Sequence, residues 1–458
     1  MGKFSTYRYL ELKDDSAPAA AAPRARSLAQ PRRLRKVFVV LIIAAVCATY
    51  FTGLFAGQSR LLDGLARSLG YRHEHHYAVL VDAGSSGSRV LAYKFRVPFT
   101  VFGQVNLDLE DEYFEQSKPG LSSYADEPEK GADSIVQLIK KASFLIPEDK
   151  RAHTPLIVRA TAGLRLLPRE KADGLIVAVR AAIAKLGYNT DGDSSVEIMD
   201  GADEGIYIWY TVNLLHNLLG GSTMAALDLG GGSTQITYQL DEELAARVPA
   251  GDRHAVPTGG VNISVYTHSY LGLGLYAARY GILQLGNKTP NTTHFTSPCV
   301  DPIVTDERWT YANKEIVVSG LSPGGTTAAR QHAACRLLVA QYVKSTLDWE
   351  PEEPPRGSVA AMSFFYDVAA DAGLIDVMRG GKVTIGKYKH AAQQACGGAN
   401  IEQPWACMDL VYIVTLLNDA YKMSLNHPIS LYKKVNGHEV SWALGLAYTT
   451  IMNRINVK

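Results

Sequence analysis

The chain has 458 residues, 47% hydrophobic and 20% charged, a balance that excludes a disordered, collagenous or polytopic membrane protein. The net charge of +1 hides an asymmetry: residues 1–36 hold nine basic and three acidic side chains, residues 37–458 hold 37 and 42. The larger part is therefore mildly acidic, which excludes nucleic acid as its main partner, because no basic surplus is left to neutralise phosphates.

Residues 1–36 read as a polar tail. Residues 37–57 (VFVVLIIAAVCATYFTGLFAG) carry no charge and are long enough to cross a hydrocarbon core of about 30 Å. The basic cluster Arg24, Arg26, Arg32, Arg33, Arg35 and Lys36 precedes them. The positive-inside rule then makes the tail cytosolic and residues 58–458 lumenal or extracellular, as in a type II signal anchor. The competing reading, a cleaved signal peptide, asks for a shorter apolar segment and a shorter leader. Three N-x-Ser/Thr sequons, at Asn262, Asn287 and Asn291, lie beyond the anchor and agree with passage through the secretory pathway. So do Cys299, Cys335, Cys396 and Cys407, which allow three pairings; the most local set, Cys299–Cys335 with Cys396–Cys407, is expected.

Residues 58–76 form a stalk ending in His73-Glu74-His75-His76, read as a solvated linker rather than a metal site. From Tyr77 onward the pattern alternates. Strands are expected at 77–84, 90–95, 154–161, 195–201, 224–232 and 236–240. Helices are expected at 131–145, 168–187, 204–219, 408–425 and the C-terminus. Strands alternating with helices give an α/β fold.

An internal repeat stands out. VDAGSSGSRV (81–90) and LDLGGGSTQI (227–236) share a strand, an Asp at its end, a Gly two residues later, a Ser/Thr/Gly turn and a second strand. Such turns bring backbone N–H groups together around an anion, and the strand-end Asp can hold a divalent cation directly or through water. Two copies can grip a phosphate chain from both sides. No GxxxxGK[ST] motif occurs, so this is not a P-loop.

Five segments in order, VDAGSSGSR (81–89), ATAGLRLL (160–167), GADEGIYIWYTVN (201–213), DLGGGSTQ (228–235) and the weaker WALGLAY (442–448), carry a resemblance to the apyrases, the ecto-nucleoside triphosphate diphosphohydrolase family. The resemblance implies two actin-like, ribonuclease-H-like lobes with nucleotide in the cleft: residues 77–200 completed by 440–458, and residues 201–439. It implies Glu204 as the base that activates the attacking water, with Ser233 and Gln235 holding that water. It makes Asp82 and Asp228 ligands of a Ca²⁺ or Mg²⁺ ion through water, with Thr161 completing the shell. Ser85, Ser86, Gly87, Ser88 and Arg89 would line one phosphate loop; Gly230, Gly231, Gly232, Ser233 and Thr234 the other. Arg89 equally suits a structural ion pair, and Arg165 reads as a brace of the fold. Phe365 and Tyr366, in SFFYD (363–367), are placed against the base, although aromatic residues also fill cores.

A single anchor, four lumenal cysteines and HSYLGLGLYAAR (268–279) resemble the Golgi, endoplasmic reticulum or secreted branch, which implies hydrolysis of UDP and GDP, with the Golgi lumen as the expected place. An extracellular-type ATP/ADP apyrase and a catalytically silent nucleotide-binding scaffold are the alternatives.

Overall fold

A computed structural model describes residues 39–45, 63–64, 66, 68–70, 73–99, 107–190, 192–219, 221–258, 261–287, 289, 291–312, 314–321, 327–348, 350–351 and 353–456. The chain divides into two compact units, 1–65 and 66–458. The expected tail at 1–36 lies outside the described residues, as does most of the expected anchor. Of the latter, residues 39–45 are helical with exposed apolar side chains. Among the described residues no helix is long and apolar enough to cross a membrane.

The second unit is built on two large sheets. The first contains β1 (His75–Ala83), β2 (Ser88–Arg96), β3 (Asp108–Ser117), β4 (Leu156–Ala160) and β5 (Val196–Ile198), in the order β3-β2-β1-β4-β5. β2 runs antiparallel to both β1 and β3, while β4 and β5 run parallel to β1. Helices α1 (Pro128–Ala142) and α2 (Arg169–Ile183) close one face over Val79, Val81, Val158 and Val196. His75 and His76 belong to β1 rather than to a linker; His75 pairs with Glu110 at 2.9 Å.

Helix α3 (Gly201–Leu215) leads to the second sheet: β6 (Ala225–Leu229), β7 (Ser233–Gln239), β8 (Arg253–Thr258) and β9 (Val261–Leu271). Next come helix α4 (Leu275–Gly286), a small sheet of β10 (His294–Ser297), β11 (Glu307–Tyr311) and β12 (Lys314–Gly320), and helix α5 (Ala328–Thr346). The large sheet resumes with β13 (Val359–Ser363), helix α6 (Phe364–Asp371), β14 (Gly381–Thr384), helix α7 (Ile385–Ala395), helix α8 (Ala406–Val414) and β15 (Pro428–Leu431). Its order is β14-β15-β13-β6-β7-β9-β8. The expected helix at 408–425 is thus α8 followed by a π-wound turn at Thr415–Ala420.

The sequence repeat recurs as a topological one. β6, β7 and β9 are antiparallel, and β13 and β15 lie parallel to β6, the pattern of β1 to β5 with one extra strand at each edge. A short hairpin, β16 (Lys434–Val435) with β17 (His438–Glu439), leads into helix α9 (Trp442–Asn456). Helices α3 and α9 sit between the sheets. Trp209, Tyr210, Trp442 and Ala447 share one apolar cluster with Leu80 and Tyr93 of the first sheet and Ala226 and Met362 of the second. Disulfides Cys299–Cys335 and Cys396–Cys407, the local pairing, both lie on the side of the second sheet.

Candidate active site

The two Gly/Ser turns meet across a cavity of about 250 Å³ between the large sheets. A Cβ on Gly231 would lie 2.6 Å from Ser85 Oγ, so the loops face each other nearly in contact. Asp82 and Asp228, at the ends of β1 and β6, are buried and line this cleft with Gly84, Ser85, Ser86, Arg89, Thr161, Gly230, Gly231, Gly232 and Ser233.

The second loop is shaped by helix α4. The backbone N–H groups of Leu275 and Tyr276 donate to the carbonyls of Gly230 (2.9 Å) and Gly231 (3.0 Å), and Gly272 donates to Gly232 (2.8 Å). The first turn of α4 therefore takes up the loop's carbonyls and frees its N–H groups for an anion. Gly274 permits this: a Cβ there would fall 2.4 Å from the nitrogens of Gly232 and Ser233.

Glu204 occupies the first turn of α3, whose N-cap Asp200 accepts from Ala202 N–H at 2.8 Å. Its side chain is buried and reaches the cleft. Oε2 accepts from Arg165 and, at 3.1 Å, from Gln235 Nε2; Gln235 Nε2 also lies 2.8 Å from Ser233 Oγ. Burial pushes the Glu204 carboxyl up to about 7, Arg165 opposing and Asp228 and Asp82 adding to the rise. Burial likewise raises Asp82, against Arg89, and Asp228, against a hydrogen bond from Ser363. Three carboxyl groups thus converge where desolvation disfavours their charge. Asp82 Oδ1 and Asp228 Oδ1 are buried without a hydrogen-bond partner.

Several sequence expectations change in detail. Thr234 does not face the cleft: its hydroxyl donates to the Asp228 carbonyl at 2.7 Å and meets Tyr421 Oη at 3.2 Å. Ser88 is buried beside Arg89, away from the cavity, and Gly87 packs against Gln116 and Ser117 of β3. Strand residues alternate between faces, so Ser233 and Arg89 point in while Thr234 and Ser88 point away. Gln235 is behind Glu204 rather than on the cavity wall. Arg89 donates to Asp82 Oδ2 at 3.2 Å, so it is an ion-pair partner as well as a cleft residue. Phe365 is fully buried in the core, and Tyr366 donates its hydroxyl to Val377 O at 2.7 Å; Phe364 lines the cleft beside Tyr366.

Other lining residues escaped sequence reasoning: Phe114 and Gln116 from β3, and Tyr432 and Lys433 beside the β16–β17 hairpin; Asp367 of α6 and Trp442 stand in the runs SFFYD and WALGLAY but were given no role there. Ser363 joins them with a left-handed φ of 55°, a strained conformation for a residue with a side chain. Nothing in the sequence pointed to the hairpin, and Ser363 stood in the run SFFYD without a role of its own.

Residues 69–458 match the GDA1/CD39 (nucleoside phosphatase) family. The nucleoside-diphosphatase uda-1 of Caenorhabditis elegans is 35% identical over 396 residues, 82% of this chain and 81% of that one. Human nucleoside diphosphate phosphatase ENTPD5 is 35% identical over 432 residues, 90% and 96% of the two chains. Ectonucleoside triphosphate diphosphohydrolase 6 of Mus musculus is 38% identical over 386 residues, 82% of each. A nucleoside triphosphate hydrolase structure from Neospora caninum shares the fold at a TM-score of 0.55 and 15% identity, covering 88% of this chain and 99% of that one. With the paired loops and the buried glutamate between them, the chain belongs to the GDA1/CD39 nucleoside phosphatase family and is a hydrolase acting on nucleoside phosphates.

Proposed function

We propose that the protein hydrolyses nucleoside diphosphates, UDP and GDP foremost, to the monophosphate and phosphate. The observation that carries this reading is Glu204, buried between two matched phosphate loops with both its hydrogen bonds on Oε2. Oε1 is left to accept a proton from a water lying in line with the terminal phosphorus. Ser233 offers its hydroxyl to that water, and Gln235 ties Ser233 to Glu204. N–H groups of both loops, with Ser85 and Ser86, take the phosphate oxygens. The leaving monophosphate departs on the side opposite the water.

The orphaned Oδ1 atoms of Asp82 and Asp228 suit a hydrated divalent cation, Ca²⁺ or Mg²⁺, with Thr161 nearby on the same wall. No three His, Cys, Asp or Glu residues converge to hold an ion directly among the described residues. Such an ion neutralises phosphate charge when bound. Phe364, Tyr366 and Asp367, adjacent on α6, line the cleft and form the wall against which we place the base. We read 77–200 with 440–458 and 201–439 as two actin-like lobes whose cleft holds the nucleotide. The anchor at 37–57 and the sequons support a lumenal, Golgi-type enzyme.

Preference for diphosphates draws support from uda-1 and ENTPD5, both named as diphosphatases. The test is phosphate release from UDP, GDP, ADP, ATP and UTP with Ca²⁺ or Mg²⁺, for wild type and Glu204→Gln. The wild type should favour UDP and GDP, with kcat/KM rising as pH passes through about 7 and Glu204 ionises. Glu204→Gln should lose at least about a hundredfold in kcat while still binding nucleotide. Faster release from triphosphates would instead favour extracellular nucleotide clearance; full turnover by Glu204→Gln would remove Glu204 as the base.

A further inference from the structure

Behind Glu204 the hydrogen-bond arithmetic does not close on Glu204 alone. Gln235 Nε2 has two hydrogens and three acceptors in reach: Ser233 Oγ at 2.8 Å, Ser269 Oγ at 2.9 Å and Glu204 Oε2 at 3.1 Å. Arg165 divides likewise. Its Nη2 donates to Glu204, its Nη1 reaches Ser269 Oγ at 3.5 Å, and its Nε is buried without a partner. Both groups that hold Glu204 therefore also hold Ser269.

The backbone is arranged for this meeting. Ser269 lies directly opposite Gln235 in the β7–β9 ladder. A Cβ on Gly201, the first residue of α3, would fall 2.4 Å from Ser269 Oγ and 2.6 Å from Arg165 Nη1, so only glycine lets the helix of Glu204 approach so closely. Next to it His268 is clamped between Asp252 (2.7 Å) and Asp348 (3.3 Å), which pins the strand.

We propose that Ser269 is a positioning residue for Glu204: it draws off part of the hydrogen bonding of Gln235 and Arg165, so that Glu204 is held in place without being saturated by its donors. The charged groups that act on Glu204 are Arg165 from the turn after β4, Asp228 from β6 and Asp82 from β1, while His268 of β9, next to Ser269, is engaged by Asp252 and Asp348. Removing Ser269 turns the freed hydrogens toward Oε2, which stabilises the carboxylate and weakens it as a base.

This rests on Glu204 being the base, which Glu204→Gln tests separately. The experiment is the pH profile of kcat/KM with UDP for Ser269→Ala, Ser269→Cys and Ser269→Thr in the full chain, under one fixed cation concentration. Ser269→Ala should move the acid limb down by about half to one pH unit and lower kcat several-fold, with KM within about twofold. Ser269→Cys, similar in volume but a weak acceptor, should shift the same way, whereas Ser269→Thr should keep the wild-type limb. A limb that stays or moves up in the Ala and Cys variants, or a loss confined to KM, overturns the proposal even if Glu204→Gln is inactive.

Discussion

Ser233 and Thr234 are adjacent hydroxyls of one signature, yet they do different work. Ser233 opens onto the cleft and is tied to Glu204 through Gln235; Thr234 is fully buried and bonds the Asp228 carbonyl and Tyr421. Thr234→Val should therefore act on stability rather than chemistry. Losing one buried bond and stranding Tyr421 costs about 1–2 kcal/mol, seen as a lower Tm with kcat/KM nearly unchanged. A large fall in kcat without a fall in Tm would return Thr234 to the phosphate site. The aromatic pair shows the same one-residue sensitivity. In the run SFFYD the family resemblance set Phe365 and Tyr366 against the base, but the helical rotation of α6 decided that Phe364 faces the cleft and Phe365 the core.

At the scale of elements, the loop after β6 is held from outside by the first turn of α4, and the hairpin β16–β17 closes the cleft near Trp442. That hairpin is docked on β3: Glu112 accepts from the Glu439 N–H at 2.8 Å, while Glu112 Oε2 and His438 Nδ1 face each other at 3.6 Å, both buried and without a hydrogen-bond partner. Burial pushes Glu112 up to about 7, the Glu439 N–H bond and Lys434 opposing, the charges of Glu439 and Asp111 adding. The fold therefore prefers this carboxyl protonated. The stability it contributes is complete below its ordinary value of 4.5 and is lost as pH rises through about 7. Glu112→Gln keeps the acceptor and cannot ionise, so thermal unfolding should show it more stable than wild type at pH 8 and little different at pH 5. Parallel pH dependence in the two proteins would contradict the assignment.

At the scale of the whole molecule, the three sequons are not equivalent. Asn262 and Asn291 are exposed, but Asn287 ends α4 and its amide nitrogen donates to Leu283 O (2.7 Å) and Thr296 O (3.1 Å). A glycan on that nitrogen would displace at least one of these bonds and uncap the helix. Peptide mapping of folded protein from a secretory host should find sugar at Asn262 and Asn291 and none at Asn287. Full occupancy at Asn287 would show that the cap is dispensable.

The sequence by itself determined the repeat of strand, Asp, glycine turn and strand, and with it the α/β class and the pairing of two phosphate loops. It did so because strand alternation, turn chemistry and strand-end carboxylates are local properties, written within ten residues of each other. Glu204 was legible only through its signature, because an acid in the first turn of a helix is by itself an ordinary placement beside the helix dipole. Tertiary structure alone decided which side chains share the cavity. Ser363, Tyr432, Lys433 and Ser269 reach their partners across sheets and turns, and no periodicity within the chain records a contact between Ser269 and Arg165, 104 residues apart. Burial decided the electrostatics as well, since desolvation depends on everything packed around a carboxyl group and not on its neighbours in sequence.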